Sequence, residues 1–369
     1  MHSKLGAFLS PVHETNQDPH LSVLRDLNLV KLLDDLNFDE VWFGEHHTLG
    51  WGLTGCPETM IAACSQNTSQ IKLANGVVPL PGHHPFHVAS RAIHLDHLTG
   101  GRYALGVGPG VPFDSHMFGL DPAIQRKRLG ESLPDVVQLV NGTERVSSVT
   151  DWYELNDAQV QLPPFSPDGI EIAMSTSGTS ESSPRLVGQY GLSMVSFALP
   201  FTIPESGANG HIPLADQWRI AEETANEYGT RISRDRWRIV LPIHVAETTE
   251  QAYEDVRAGY DRWVYDYFEK IAGRKIVPVG TPSDKILEQR VEAGGLLVGS
   301  PEDVVSGVQR MQEETGGFGQ LVAYVADWTS WEKTDLSLQL LARYVRPILT
   351  GSTSRPEAAV EHAVANRST

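Results

Sequence analysis

Short, nearly continuous apolar runs alternate with longer segments of helical periodicity about eight times along this chain. That alternation dictates a parallel sheet covered by helices, because strands buried on both faces read as unbroken apolar runs. The runs lie at Lys4 to Ser10, Glu40 to Gly44, Lys72 to Pro79, Tyr103 to Val107, Glu171 to Ser175, Ser193 to Leu199, Arg238 to Ala246 and Gln320 to Ala326. Between them, Leu29, Leu32, Leu33 and Leu36 mark one helix face, and Leu341, Tyr344, Val345 and Ile348 mark another. Ser300-Pro301-Glu302-Asp303 starts a helix with a capping Ser, a first-turn Pro and an acid three residues on; Asp121-Pro122 opens another. The expectation is an α/β protein, a (β/α)8 TIM barrel forming a single domain over residues 1–350. Two insertions interrupt the pattern, a strand pair at about 144–164 and extra helix and loop at about 263–297. The tail, residues 351–369, has little apolar content and is expected to be mobile.

The net charge of −17 is a poor match to nucleic acid or to anionic lipid, so neither is expected as a partner. An anionic ligand would need a local site. No stretch is long and apolar enough to span a bilayer and no secretion signal opens the chain, so a cytoplasmic protein is expected. Without a secretion signal, Asn67-Thr68-Ser69 and Asn141-Gly142-Thr143 read as chance matches to the glycosylation pattern. Cys56 and Cys64 have no zinc-like spacing and no disulfide framework around them.

In a (β/α)8 barrel the catalytic groups project from the C-terminal ends of the strands, so position narrows the search. The second strand runs out into Glu45-His46-His47. Histidine can give or take a proton near neutral pH, and a neighbouring carboxylate can orient its ring. On spacing alone the run serves equally well as an ordinary polar loop, since adjacent residues point in different directions. Gly106-x-Gly108-x-Gly110 lacks the third Gly of a dinucleotide fingerprint, and Pro109-Gly110-Val111-Pro112 does not read as the opening of a helix. His83, His84, His87, His94 and His97 lack accompanying ligands at metal spacing and read as solvated or capping residues, so no metal is expected. Trp51, Phe113, Phe197, Trp328 and Trp331 fall near strand ends and suit either a pocket wall or ordinary core. The loop Ser177, Gly178, Ser182, Ser183, followed by a helix containing Arg185, offers hydroxyls, backbone N–H groups and a helix N-terminus for a phosphate; it also reads as a Ser-rich loop with a routine cap.

Several segments together carry a resemblance. Val41-Trp42-Phe43-Gly44-Glu45-His46-His47, Gly52-Leu53-Thr54-Gly55-Cys56-Pro57, Leu80-Pro81-Gly82-His83-His84-Pro85 and Leu95-Asp96-His97-Leu98-Thr99-Gly100-Gly101-Arg102 occur in order. Phe118-Gly119, Val298-Gly299-Ser300-Pro301-Glu302-Asp303, Thr315-Gly316-Gly317-Phe318-Gly319 and Val345-Arg346-Pro347 follow. The ordered set, over residues 4 to 349, resembles the bacterial luciferase-like flavin monooxygenases, above all the limonene 1,2-monooxygenase-like and diketocamphane monooxygenase-like members. The resemblance implies reduced FMN supplied by a separate flavin reductase, O2 as co-substrate, and a flavin C4a-hydroperoxide that oxygenates an apolar terpene, ketone or aldehyde. It implies that His46 is the catalytic histidine and that Gly76-Val77 packs under the flavin through a non-proline cis peptide. It also suggests a homodimer through the helices after strands two and three.

There are departures. Where the luciferase α subunit has a Cys-Arg pair whose Arg grips the flavin phosphate, this chain has Gly108 and Pro109. The phosphate must then be held elsewhere, and the Ser177 to Arg185 segment is the replacement this reading assigns. Two alternatives stay open: a deazaflavin-dependent oxidoreductase on the same fold, and a flavin-binding paralogue without turnover. Retention of His46 speaks against the second.

Overall fold

The computed structural model describes residues 3–9, 13–198, 211–273, 276–277, 282–326 and 328–368. Eight parallel strands close on themselves: β1 (Lys4–Leu9), β2 (Glu40–Phe43), β3 (Lys72–Asn75, resumed at Val78–Pro79), β4 (Tyr103–Gly108), β5 (Glu171–Thr176), β6 (Ser193–Phe197), β7 (Trp237–Val245) and β8 (Gln320–Val325). Each pairs with the next, and β8 returns to β1 through Gly6↔Val322. The (β/α)8 barrel expected from the alternation is therefore present, its strands in the expected places. The expected strand ends at Ser10 and Leu199 lie outside the described residues.

Side chains on a strand alternate between its two faces, so residues of one parity fill the barrel. One residue from every strand forms a buried inner layer: Phe8, Trp42, Ala74, Ala104, Ala173, Val195, Val240 and Val322. The opposite parity (Leu5, Ala7 and Leu9 on β1; Val41 and Phe43 on β2) faces the helices and belongs to the main core. Two residues earlier on the same inward parity, at the N-terminal end, the barrel is plugged by charge. Arg238 donates to Glu40 through Nε (2.8 Å) and Nη2 (2.9 Å), and to Glu171 through Nη1 (2.7 Å). Lys72 reaches Glu171 at 2.7 Å, and Trp42 Nε1 donates to Glu40 at 2.7 Å. Gly6 on β1 makes room, since a Cβ there would lie 2.7 Å from Glu40 Cγ. Burial alone would raise the Glu171 pKa, but Arg238 and Lys72 hold it far below the carboxylate range.

The differences from the sequence reading are local. The third strand breaks at Gly76-Val77, whose peptide bond is cis. A helix does open at Pro112 (Pro112–Met117), with the proline in its first turn. The 144–164 insertion is an antiparallel hairpin, but its second strand is Glu154–Ala158, ahead of the Val160 to Leu162 run. The 263–297 insertion begins as a π-helical segment, Trp263–Ile271, and a helix follows at Ile286–Glu292; residues 274–275 and 278–281 lie outside the description. It ends in an unforeseen strand, Leu297–Gly299, pairing with the C-terminal half of β7. Three residues are too few to give a strand pattern. The 351–369 tail contains an α-helix, Ser354–Ala365, with no buried residue.

Arg238→Ala leaves Glu40 buried without its cation and Glu171 with Lys72 alone. We expect a loss of about 3–5 kcal/mol, measured by urea unfolding at pH 7. Glu171 has a depressed folded pKa, so its contribution is present above the unfolded carboxylate pKa and fades as pH falls through the acid range.

Candidate active site

β2 ends at Phe43, and the loop that follows it carries Glu45, His46 and His47 at the C-terminal end of the barrel. Two different carboxylates hold that loop.

Asp114, in the short helix opened by Pro112, takes three donors from the His46 segment. Its Oδ2 lies 2.9 Å from His46 Nδ1, and its Oδ1 accepts from His47 N (3.1 Å) and Thr48 Oγ1 (2.7 Å). Burial pushes the Asp114 pKa up, but the bonds from His46, Thr48 and the His47 amide outweigh it and hold the carboxyl below its ordinary value. An ionised carboxylate only accepts, so His46 Nδ1 carries hydrogen and Nε2 is left for the mouth. The His46 side chain is about one-quarter exposed while Asp114 is buried, which suits a group that meets a ligand and one that steers it.

Glu45, almost fully buried, accepts on Oε1 from His47 Nε2 (3.0 Å) and His83 Nε2 (3.1 Å). Arg91 Nη2 is 3.2 Å from His83 Nδ1 and Arg91 Nε is 3.1 Å from Glu58. Arginine only donates, so His83 must accept at Nδ1 and donate at Nε2. The loop returning toward helix Pro57–Ser65 closes over the pair: His46 N donates to Thr54 O (3.1 Å), and a Cβ at Gly52 would lie 2.9 Å from His46 Cβ.

At the break in β3 the packing is close and largely apolar. Gly76 fits only because it lacks a Cβ, which would lie 2.6 Å from the Phe8 ring and 3.1 Å from Trp42 Cβ. Gly108 is pressed between Ser175 and Val77 in the same way. Phe113 stands beside His46, ring centroids 6.1 Å apart. Phe197 meets Phe8 edge-on at 5.2 Å, and Tyr324 stacks on Phe8 at 5.6 Å. Those two rings bridge the inner layer to an aromatic cluster containing Trp51, Tyr260, Trp263, Tyr267 and Trp328. Trp331 goes elsewhere, under Arg25 of the first helix.

The loop after β5 carries the oxygen donors expected of it, with a different cation. Ser180 Oγ donates to Ser182 Oγ (3.0 Å), Ser177 and Thr179 hydroxyls are 3.0 Å apart, and Gly178 has φ +71°. Arg126, at the start of helix Gln125–Asn141, donates to Ser182 Oγ at 2.7 Å. Arg185 is spent on Glu181, 2.7 Å away on the exposed side of helix Ser182–Tyr190. That pairing also withdraws Glu181 from the helix N-terminus, which has no side-chain cap. Ser183 is buried in the first turn. Hydroxyls, one guanidinium and uncapped N–H groups form a donor set suited to a phosphate.

Among the described residues no group of three or more His, Cys, Asp or Glu could hold a metal ion. His83 is engaged by Glu45, His84 caps helix Pro85–Thr99, and His97 bonds Pro163 O. Among the described residues no helix is long and apolar enough to cross a membrane.

A closed parallel barrel with a carboxylate-steered histidine and a hydroxyl-bearing loop at its C-terminal mouth is the build of a barrel enzyme. The chain belongs to the luciferase-like monooxygenase family, whose model matches residues 3–317. It is 44% identical over 348 residues to 4-hydroxyprotoasukamycin monooxygenase of Streptomyces nodosus subsp. asukaensis, covering 94% of this chain and 92% of the relative. It is 38% identical to limonene 1,2-monooxygenase of Rhodococcus erythropolis, covering 94% and 86%. The fold matches the oxygenating constituent of 3,6-diketocamphane monooxygenase of Pseudomonas putida, a type II Baeyer-Villiger monooxygenase solved with FMN (TM-score 0.77, 24% identity, 94% and 99% covered).

The structure thus gathers Glu45, His46, His47 and Phe113 at one place, and packs Val77 against Gly108 next to the Gly76-Val77 break. Sequence reasoning missed Asp114, Thr48, His83, Arg91 and Arg126. The available signal for Asp114 was Pro112, a first-turn proline two residues before an acid just past a strand end. Asp114→Ala removes the acceptor of three donors. Local opening of residues 46–48 is expected to become easier by about 1–3 kcal/mol, read as faster hydrogen exchange of the His47 amide.

Proposed function

We propose that this protein is the oxygenating component of a two-component flavin monooxygenase, taking reduced FMN from a separate reductase and using O2 to oxygenate an apolar small molecule such as a terpene, ketone or aldehyde. The observation that carries this reading is the Asp114–His46 pair, which commits Nδ1 and leaves Nε2 for a ligand, at the end of a barrel that also carries an aromatic cluster. The donor set at the anion loop supports a flavin mononucleotide over a cofactor without phosphate. When bound, reduced flavin supplies the activation of O2, which no side chain performs alone.

The residues have separable tasks. Arg126, Ser177, Ser180 and Ser182 side chains hold the phosphate end, and the Ser183 backbone N–H completes the cradle, the Ser182 N–H being engaged by Ser180 Oγ at 3.1 Å. Gly76, Val77 and Gly108 let the chain lie flat under the ring system. His46 Nε2 holds or releases the proton at the reacting oxygen, and Asp114 keeps Nδ1 protonated so that Nε2 alone exchanges. Trp51, Phe113, Phe197 and Trp328 exclude water, which suppresses loss of the oxidising equivalent as hydrogen peroxide. The apolar character of that wall supports an apolar substrate.

His46→Ala is expected to lower product formation by about 100-fold or more, with hydrogen peroxide made instead and FMN affinity unchanged. Unaltered coupling of O2 uptake to product in this variant would remove His46 from the mechanism. Arg126→Ala is expected to weaken FMN binding by about 10-fold or more, the size of a lost charge-assisted hydrogen bond, and to leave riboflavin binding unchanged in equilibrium titrations.

A further inference from the structure

We propose that His211 is a second, titratable contact to the cofactor phosphate, so that FMN binding takes up a proton. This inference rests on the FMN reading above and goes beyond it in naming a residue and a pH dependence. Gly178 sits in the left-handed region (φ +71°) in the middle of the hydroxyl loop, and a Cβ at this position would collide with the His211 imidazole. The ring therefore lies directly on the loop that carries Ser177 and Thr179.

Its position is built into the fold. The next residue, Ile212, donates its N–H to Gly178 O at 2.9 Å, and Ile212 O accepts from Gln217 Nε2 at 2.9 Å. Gln217 is fully buried and its Oε1 accepts from Thr176 Oγ1 of β5 at 2.7 Å. A buried amide thus ties the His211 segment to the strand that launches the anion loop, fixing the ring where a phosphate oxygen would approach.

The electrostatic surroundings suit an inducible charge. Arg126 reaches the loop from the opposite helix and is committed to Ser182. Glu181 with Arg185 (2.7 Å) and Asp216 with Arg219 (3.2 Å) are each paired locally. Among the described residues no carboxylate contributes to the His211 equilibrium; burial lowers its pKa, although the residue as a whole remains exposed. In the free protein the imidazole is therefore neutral above its ordinary pKa of 6.5. A phosphate dianion beside it favours the imidazolium and raises the pKa, so the protein binds FMN more tightly as pH falls between the free and bound values.

The test is anaerobic calorimetric titration of the full chain with reduced FMN and with reduced riboflavin, in two buffers of different ionisation enthalpy, at about pH 7.5, where free phosphate monoester (second pKa about 6) is largely dianionic. Wild type is expected to take up a fraction of a proton with FMN and none with riboflavin. His211→Gln should lose the uptake and bind FMN several-fold more weakly, and His211→Lys, with a fixed charge, should bind FMN well without uptake. Equal proton uptake in wild type and His211→Gln overturns the assignment of His211 while leaving the FMN reading intact. Wild type that binds neither flavin overturns the FMN reading itself.

Discussion

Arg238 ties three strands of the barrel together from inside. A guanidinium that is fully buried needs its whole fork satisfied, and Glu40 on β2 with Glu171 on β5 do so across the barrel base. Because these groups share parity with Trp42, Ala173 and Val240, their pairing fixes which faces of β2, β5 and β7 point inward. A slip of one residue on any of them would drive a charge into the helical layer. Beyond Trp42, β2 ends at Phe43 and runs out at the C-terminal end of the barrel into the loop that carries Glu45 and His46. The base plug and the active-site loop thus lie at the two ends of one strand.

The mouth uses carboxylates differently. Asp114 and Glu45 grip the three-residue segment His46 to Thr48, one by the His46 ring, the His47 amide and Thr48, the other by the His47 ring. Each histidine has one nitrogen committed to a carboxylate, so ring rotation is restrained without metal-like rigidity. Arg91 fixes the tautomer of His83, which in turn fills part of the hydrogen-bonding capacity of Glu45. A loop so held keeps the His46 ring in one orientation, which is what proton control at a single oxygen requires.

Much of this was legible in the residues. Eight apolar runs and the helices between them were enough for the barrel, since periodicity is a local property of the chain. The position of Glu45-His46-His47 at a strand end was legible for the same reason. Asp114 was not, because its partner lies 68 residues away and nothing in Pro112-Phe113-Asp114 names that partner. Arg126 and Arg185 are equally basic in the sequence; only the Glu181 pairing shows that Arg185 is already engaged. The strand at Leu297–Gly299 escaped because it leans on β7 and is too short to carry a pattern of its own. The cis bond at Gly76-Val77 was anticipated through family resemblance, not from the residues themselves.

The reading of this chain as an oxygenase is tested most directly by isotope transfer. The protein is supplied with reduced FMN and ¹⁸O2, with limonene and a diketocamphane as probe substrates, and the products are weighed by mass spectrometry. The account predicts an organic product carrying one ¹⁸O atom, with little labelled hydrogen peroxide. A product free of ¹⁸O, or turnover that proceeds without O2 on a reduced deazaflavin, would contradict it.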